Sequence, residues 1–188
     1  VNVDWYNYPG GVAVATNSNF DVYTIDWDYN PAGDILLTKR DSTGAILWDT
    51  AYDNTDNTLH EVATWVETDN AGNILVSGTI RSGFSSPVNA ASVLMKFDSS
   101  GALLWRVVYE NSFDGSSTKK LIVDPNDNIY VLGLGTGPSG MVTKVKKFDS
   151  SGVPVWSYFD TVGIGAPVNI KFTPDNNMLI VHRTLSGN

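Results

Sequence analysis

The sequence predicts an all-β fold, a β-propeller built from four-stranded antiparallel blades. Two alternating repeats predict it. The nonapeptide FDSSGALLW at 97–105 recurs as FDSSGVPVW at 148–156 and, more loosely, as RDSTGAILW at 40–48. Between these copies lies a second marker, DNAGNILV at 69–76, which returns as DPNDNIYV at 124–131 and TPDNNMLI at 173–180. Tandem units of about 50 residues with this alternation are typical of propellers.

Composition sets the outer bounds on function. The chain has 188 residues, of which 42% are hydrophobic and 17% charged, so it can bury a core. Its net charge of -8 repels phosphates, and we expect no nucleic-acid partner. The absence of cysteine excludes disulfides and thiolate metal sites. No apolar run is long enough for a membrane span.

Both markers are typical of hairpin turns between strands of period two. In the nonapeptide, Asp98 can accept hydrogen bonds from backbone amides two residues on, and Gly101 can adopt a positive φ. The same pair recurs as Asp41 with Gly44 and as Asp149 with Gly152. We therefore expect the same turn three times.

Strands placed on this frame give one order along the chain. A lone fourth strand is expected at 3–8, followed by blades at about 9–52, 58–110 and 117–160 and a partial blade at 166–188. The predicted strands of the complete blades lie near 11–16, 20–26, 34–40, 45–51, 60–67, 73–79, 91–97, 103–109, 118–124, 128–135, 141–148 and 154–159. Residues 1–188 are thus expected to be a single segment of a larger propeller, one of about six to eight blades.

A tryptophan closes each copy of the nonapeptide. Trp48, Trp105 and Trp156 are separated by 57 and 51 residues, and each follows the turn aspartate by seven. This constant offset predicts equivalent positions on the fourth strands, with the indoles largely buried between blades.

The run from Asp69 to Trp105 resembles the bacterial seven-bladed β-propeller repeat family, whose members are SBBP-like repeats. The matching positions are Asp69, Gly72, Asn73, Gly78, Asp98, Gly101 and Trp105, and then Asp124, Asn128, Gly133, Asp149, Gly152 and Trp156. In the first blade, Phe20 and Asp21 replace the Gly-Asn pair, so the start of that blade is poorly defined. The resemblance implies a secreted or cell-surface bacterial protein, a scaffold or binding module without a shared catalytic residue.

The turn pattern is also similar to the aspartate box of sialidases and the tryptophan docking motif of quinoprotein dehydrogenases, and both of those are structural. A sialidase would need an arginine cluster, yet the four arginines are scattered over different strands and loops. His60 and His182 lie in different blades without a partner at metal-ligand spacing. We therefore expect no enzyme and no catalytic residue in this chain.

Two weak binding sites stay open as hypotheses. Asp124, Asn126 and Asn128 have the spacing of the first calcium ligands, but Ile129 stands where that loop requires glycine. No cofactor is expected, and calcium is the alternative. The loop residues Trp27, Asp28 and Tyr29 could stack on a sugar or dock a peptide, or plug the space between blades.

The sequence favours a non-enzymatic scaffold or protein-interaction module at the bacterial cell surface. Its expected partner is another protein or the remaining blades of the same propeller. One alternative is a carbohydrate- or calcium-dependent binding module. The other is part of a propeller hydrolase whose catalytic residues lie outside this chain.

Overall fold

The computed structural model describes residues 13–27, 34–52, 60–81, 90–112, 118–137, 140–160 and 165–184. These residues form four antiparallel sheets of short strands. The first blade contains β1 (Ala13–Thr16), β2 (Val22–Trp27), β3 (Ile35–Arg40) and β4 (Ile46–Tyr52). The second contains β5 (His60–Thr68), β6 (Ile74–Arg81), β7 (Ala90–Phe97) and β8 (Leu103–Ser112). The third contains β9 (Thr118–Val123), β10 (Ile129–Gly137), β11 (Gly140–Phe148) and β12 (Pro154–Asp160). The partial fourth blade contains β13 (Gly165–Phe172) and β14 (Met178–Thr184).

Each complete blade is a meander in which neighbouring strands in sequence are neighbours in the sheet. This confirms the predicted fold class, an all-β propeller of four-stranded antiparallel blades. The lone strand predicted at 3–8 lies outside the described residues. Within the described ranges, no helix is long and apolar enough to cross a membrane.

The strand register repeats from blade to blade. The tryptophan of each fourth strand pairs with a lysine of the third strand, as Lys39 with Trp48, Lys96 with Trp105 and Lys147 with Trp156. A register shift follows immediately after that lysine in all three blades. The sequence repeat is therefore a repeat of backbone geometry as well as of composition.

The hydrophobic core lies between blades rather than within one sheet. One cluster joins the first blade to the second, for example Tyr23 and Leu37 to Val76 and Phe97. A second cluster joins the second blade to the third and includes Leu94 and Leu121. A third cluster joins the third blade to the partial fourth, and its members are Ile122, Tyr130, Leu132, Val145, Ile170, Phe172, Met178 and Ile180. The second and third blades thus contribute to two clusters each, one on either side, and are covered there by their neighbours.

The first strands of successive blades also contact one another in order, β1 with β5, β5 with β9, and β9 with β13. Such a succession places the first strand innermost in each blade, as in a propeller. The fourth strands are consequently the outer ones.

Candidate functional site

The turns between third and fourth strands, called the outer turns below, have one geometry in all three blades. The Asp98 Oδ1 accepts hydrogen bonds from the backbone amides of Ser100 at 2.8 Å and Ala102 at 3.0 Å. The Asp149 Oδ1 likewise accepts from Ser151 and Val153, both at 2.9 Å. The turn glycines Gly44, Gly101 and Gly152 have φ values of 92°, 89° and 83°. The predicted turn is confirmed.

Hydrogen bonds from neighbouring hydroxyl groups lower the pKa of two of these turn aspartates. The Ser100 hydroxyl donates to Asp98 at 2.6 Å, and this bond, with those from the backbone amides, holds the pKa of Asp98 below its usual value. The Thr43 hydroxyl does the same for the pKa of Asp41. The carboxylates act as charged acceptors that close the turns.

The tryptophan of each of the first two blades covers the outer turn of the next. A Cβ placed on Gly101 would lie 3.2 Å from the ring of Trp48, and one on Gly152 would lie 3.0 Å from the ring of Trp105. The Trp48 Nε1 also donates to the backbone oxygen of Ser99 at 3.2 Å. The turn therefore requires glycine twice over, for its positive φ and for the closeness of the indole.

The third tryptophan differs from this pattern. Trp48 and Trp105 are half-buried, whereas Trp156 is 39% exposed. The expectation that all three are largely buried is wrong for Trp156. Its position on the fourth strand is equivalent, but among the described residues no outer turn of a following blade lies against it.

The turns between first and second strands, called the inner turns, have their own repeated geometry. Their fourth residues all have positive φ, at 63°, 82°, 60° and 62° for Phe20, Gly72, Asp127 and Asn176. Phe20 therefore occupies the glycine position, and the first blade keeps the repeat geometry although its sequence departs from the pattern.

An amide and a carboxylate brace the first three inner turns. Asn73 Nδ2 donates to Asp69 at 2.8 Å, and Asn128 Nδ2 donates to Asp124 at 2.8 Å. In the first blade the order is reversed, because Asn17 Nδ2 donates to Asp21 at 3.0 Å. The pair is preserved with its two members exchanged.

Third-strand lysines connect to these inner turns, a role that was not predicted from the sequence. Lys39 lies 2.9 Å from Asp21, and Lys96 lies 2.7 Å from Asp69. The bond from Lys39 holds the pKa of Asp21 below its usual value. Burial alone would raise the pKa of Asp69, but the bonds from Lys96 and Asn73 outweigh it and lower that pKa. The signal in the sequence is a lysine two residues before every outer-turn aspartate.

The calcium candidates form an inner turn. Asp124 Oδ1 accepts from the backbone amides of Asn126 and Asn128, each at 2.9 Å. Its Oδ2 accepts from the Asn128 side chain and, at 3.1 Å, from the Tyr130 hydroxyl. Across the described ranges, no group of three or more His, Cys, Asp or Glu side chains could hold a metal. Calcium binding stays a prediction.

The predicted ligand loop is described only at its start. Trp27 is the last residue of β2, while Asp28 and Tyr29 lie outside the described residues. Binding of a sugar or peptide there also stays a prediction.

An exposed apolar surface, which we call the open face, lies on the third blade. It consists of Trp156 and Tyr158 on β12, exposed by 39% and 51%, on the side of the third blade that faces the partial fourth. Leu179 and Val181 on β14, exposed by 57% and 55%, form a separate surface on the side of the β13–β14 sheet that faces away from the third blade. At the positions equivalent to Leu179 and Val181, the third blade has Tyr130 and Leu132, which the next sheet buries. The open face corresponds to the surface around Trp48 and Trp105 in the first two blades, which the outer turn of the next blade covers.

No family model and no curated protein matches the sequence. Among solved structures, a protein of unknown function from Bacteroides caccae is similar over 90% of this chain, with a TM-score of 0.55 and 14% identity. This chain spans 52% of that protein. A gluconolactonase from Xanthomonas campestris is similar with a TM-score of 0.36 and 14% identity, over 90% of this chain and 68% of its own. The tail fiber of Staphylococcus aureus phage P68 gives 0.35 and 10%, over 80% and 44%. The likeness to the Bacteroides caccae protein concerns the fold alone.

Proposed function

We propose that this chain is a non-enzymatic propeller scaffold that serves as a protein-interaction module through its open face. The observation that carries the proposal is the exposure of Trp156 and Tyr158, which are neighbours on one face of β12. Contiguous apolar surface of this kind marks sites where another polypeptide binds.

The use of the repeat residues supports the scaffold part of the proposal. Asp69 and Lys96 brace one blade internally, while Trp48 and the turn of Gly101 join one blade to the next. The Lys96 Nζ also donates to the Ser150 backbone oxygen of the following blade at 3.3 Å. These repeat side chains, Asp69, Lys96 and Trp48, thus stabilise the blades and the junctions between them.

Membership of the SBBP-like repeat family and a place outside the bacterial cell are part of the same proposal. They rest on the motif from Asp69 to Trp105 and its second copy. A protein partner at the open face would suit such a module.

The test uses the apolar dye ANS with the purified chain. We expect ANS fluorescence that falls at least twofold in the double variant Trp156→Ser and Tyr158→Ser. Phe159→Ser is the matched control, because Phe159 lies on the other face of β12 and is similarly exposed. Equal dye binding by the wild-type chain and the double variant would reject the open face as an interaction surface.

Three parallel assays address the alternatives. A glycan array, thermal melts with calcium and with EDTA, and a panel of ester and lactone substrates are applied to the same preparation. Saturable glycan binding, a calcium-dependent rise in melting temperature or turnover would each overturn the proposal in favour of a binding module or a hydrolase.

A further inference from the structure

We propose that the open face takes up a β-hairpin of a partner polypeptide, one that closes on an Asp-x-x-Gly turn and pairs along the outer edge of β14. The inference deepens the proposed function and rests on it. It names the chemistry of the partner that the open face would bind.

The contact between a tryptophan and a turn glycine occurs twice within the chain. Trp48 covers the turn glycine Gly101, and Trp105 covers Gly152, each on the following blade. Trp156 pairs with its third-strand lysine in the register that Trp48 and Trp105 have with theirs. An incoming turn that meets Trp156 in this way must carry glycine, because the rings of Trp48 and Trp105 lie 3.2 Å and 3.0 Å from where a Cβ on their turn glycines would stand.

A side chain of the preceding blade donates a hydrogen bond to each of these turns. Trp48 donates to the backbone oxygen of Ser99, and Lys96 donates to the backbone oxygen of Ser150. Each acceptor is the residue immediately after the turn aspartate, Ser99 after Asp98 and Ser150 after Asp149. The third blade has the same donors at the same positions, Trp156 and Lys147. The partner turn would supply the matching carbonyl oxygen.

The backbone edge of β14 offers a place for a further strand. In the complete blades, the second strands β6 and β10 each pair on both sides. Among the described strands, β14 pairs with β13 alone. An unpaired strand edge presents a row of backbone donors and acceptors to which another polypeptide can add a strand.

The space beside β14 sets the size of the partner. β13 and β14 already cover the inner part of the third blade, where Ile170, Met178 and Ile180 pack against Leu132 and Val145. Within the part of the chain that the structure describes, the outer region around the exposed tryptophan is left open. Two added strands would bring the β13–β14 sheet to the four strands of a complete blade.

Charge indicates the residue before the partner's turn aspartate. In the second and third blades this residue is Phe97 or Phe148, which packs against Tyr52 or Tyr109 of the preceding blade. The third blade has Asp160 in place of that tyrosine, with its Oδ2 3.8 Å from the Nε2 of His182. A basic residue, as found at position 40 in the first blade, is therefore the better match there.

The probe is a peptide with the sequence of residues 35–52, ILLTKRDSTGAILWDTAY, cyclised through its termini and labelled with fluorescein. We expect saturable binding to the full chain by fluorescence anisotropy, at least tenfold weaker for Trp156→Ala. Phe159→Ala is the control and should bind as the wild type does. The peptide variant Gly44→Val should also bind at least tenfold more weakly. Hydrogen exchange of the β14 amides should slow when the peptide is added.

Absence of binding by the cyclised peptide, or equal binding by Trp156→Ala and wild type, overturns the hairpin proposal. So does binding without protection of the β14 amides. A chain that binds ANS at the open face but not the peptide keeps the interaction module and loses the hairpin. If ANS binding is also unchanged by substitution of Trp156 and Tyr158, the proposed function itself fails.

Discussion

At the scale of single residues, the two turn types place different demands on glycine. Gly72 in an inner turn has φ +82°, and a Cβ added there would meet no atom within 4 Å. Gly152 has φ +83°, and a Cβ added there would lie 3.0 Å from the Trp105 ring. The two positions share the backbone conformation and differ in their surroundings. Substitutions at these two positions therefore separate the cost of backbone strain from the cost of steric crowding by the indole.

We predict that Gly72→Ala lowers the free energy of unfolding by about 1 kcal/mol, the cost of a left-handed alanine. Gly152→Ala should cost about 1–3 kcal/mol more, because the added methyl group also overpacks against Trp105. Urea denaturation of the two variants measures the difference. Equal losses of unfolding free energy in the two variants would show that the Trp105 ring does not crowd the turn glycine.

Phe20 is a bulky residue held at φ +63° with most of its side chain in solvent. Asparagine tolerates this conformation better than phenylalanine. We predict that Phe20→Asn raises the free energy of unfolding by about 1 kcal/mol. Phe20→Leu is the control and should bring no gain. Stabilisation by both substitutions would instead point to removal of the exposed ring as the cause.

At the scale of the element, the link between Lys96 and Asp69 ties a third strand to an inner turn. Both side chains are nearly buried, and the pKa of Asp69 is lowered below its ordinary value of 3.8. A carboxylate whose pKa is lower in the folded state stabilises the fold fully at pH values above its pKa in the unfolded chain. Its contribution to stability is lost as the pH falls through its pKa in the folded protein.

We predict that Asp69→Asn lowers the melting temperature at pH 7, and that the difference from the wild-type chain narrows progressively below about pH 4. Melts of both proteins between about pH 7 and pH 2 span the titration of this carboxyl group. Parallel curves over the whole range would show that the ion pair contributes no pH-dependent stability.

The fourth strands carry tryptophans in two environments. Trp105 packs in the cluster between the second and third blades, whereas Trp156 is exposed on the open face. We predict a loss of about 2–3 kcal/mol for Trp105→Ala, below the cost of a fully buried aromatic, and less than about 1 kcal/mol for Trp156→Ala. Denaturant unfolding of the two variants measures both losses. Comparable values would mean that Trp156 is already covered in solution.

These elements could be predicted from the sequence because their chemistry is local. The aspartate and glycine of an outer turn are three residues apart, and their roles follow from one hydrogen-bond pattern. The role of the lysines could not be predicted, because their partners lie on another part of the blade, as Lys96 and Asp69 do. The exposure of Trp156 was not predicted either, because burial depends on what the next blade presents and not on the residues around the tryptophan.

At the scale of the whole molecule, the blades form a one-dimensional stack in which each blade is held by its neighbours. Three clusters join the four sheets in order, and the contact of one tryptophan with the next outer turn repeats along that order. Repetition made the fold class predictable, because each of the three copies of the pattern corresponds to one blade. Function was less predictable, because the repeat residues serve the junctions between blades.

The contact between a tryptophan and the turn glycine of the following blade joins the blades at their outer turns, and it can be measured directly. Protons above the face of an indole resonate upfield in NMR spectra, so the Hα protons of Gly101 and Gly152 report on it. We predict upfield signals for both glycines. Trp48→Ala should return the Gly101 signal alone to an ordinary position, and Trp105→Ala the Gly152 signal alone. Ordinary shifts for both glycines in the wild-type chain, unchanged in either variant, would contradict the account.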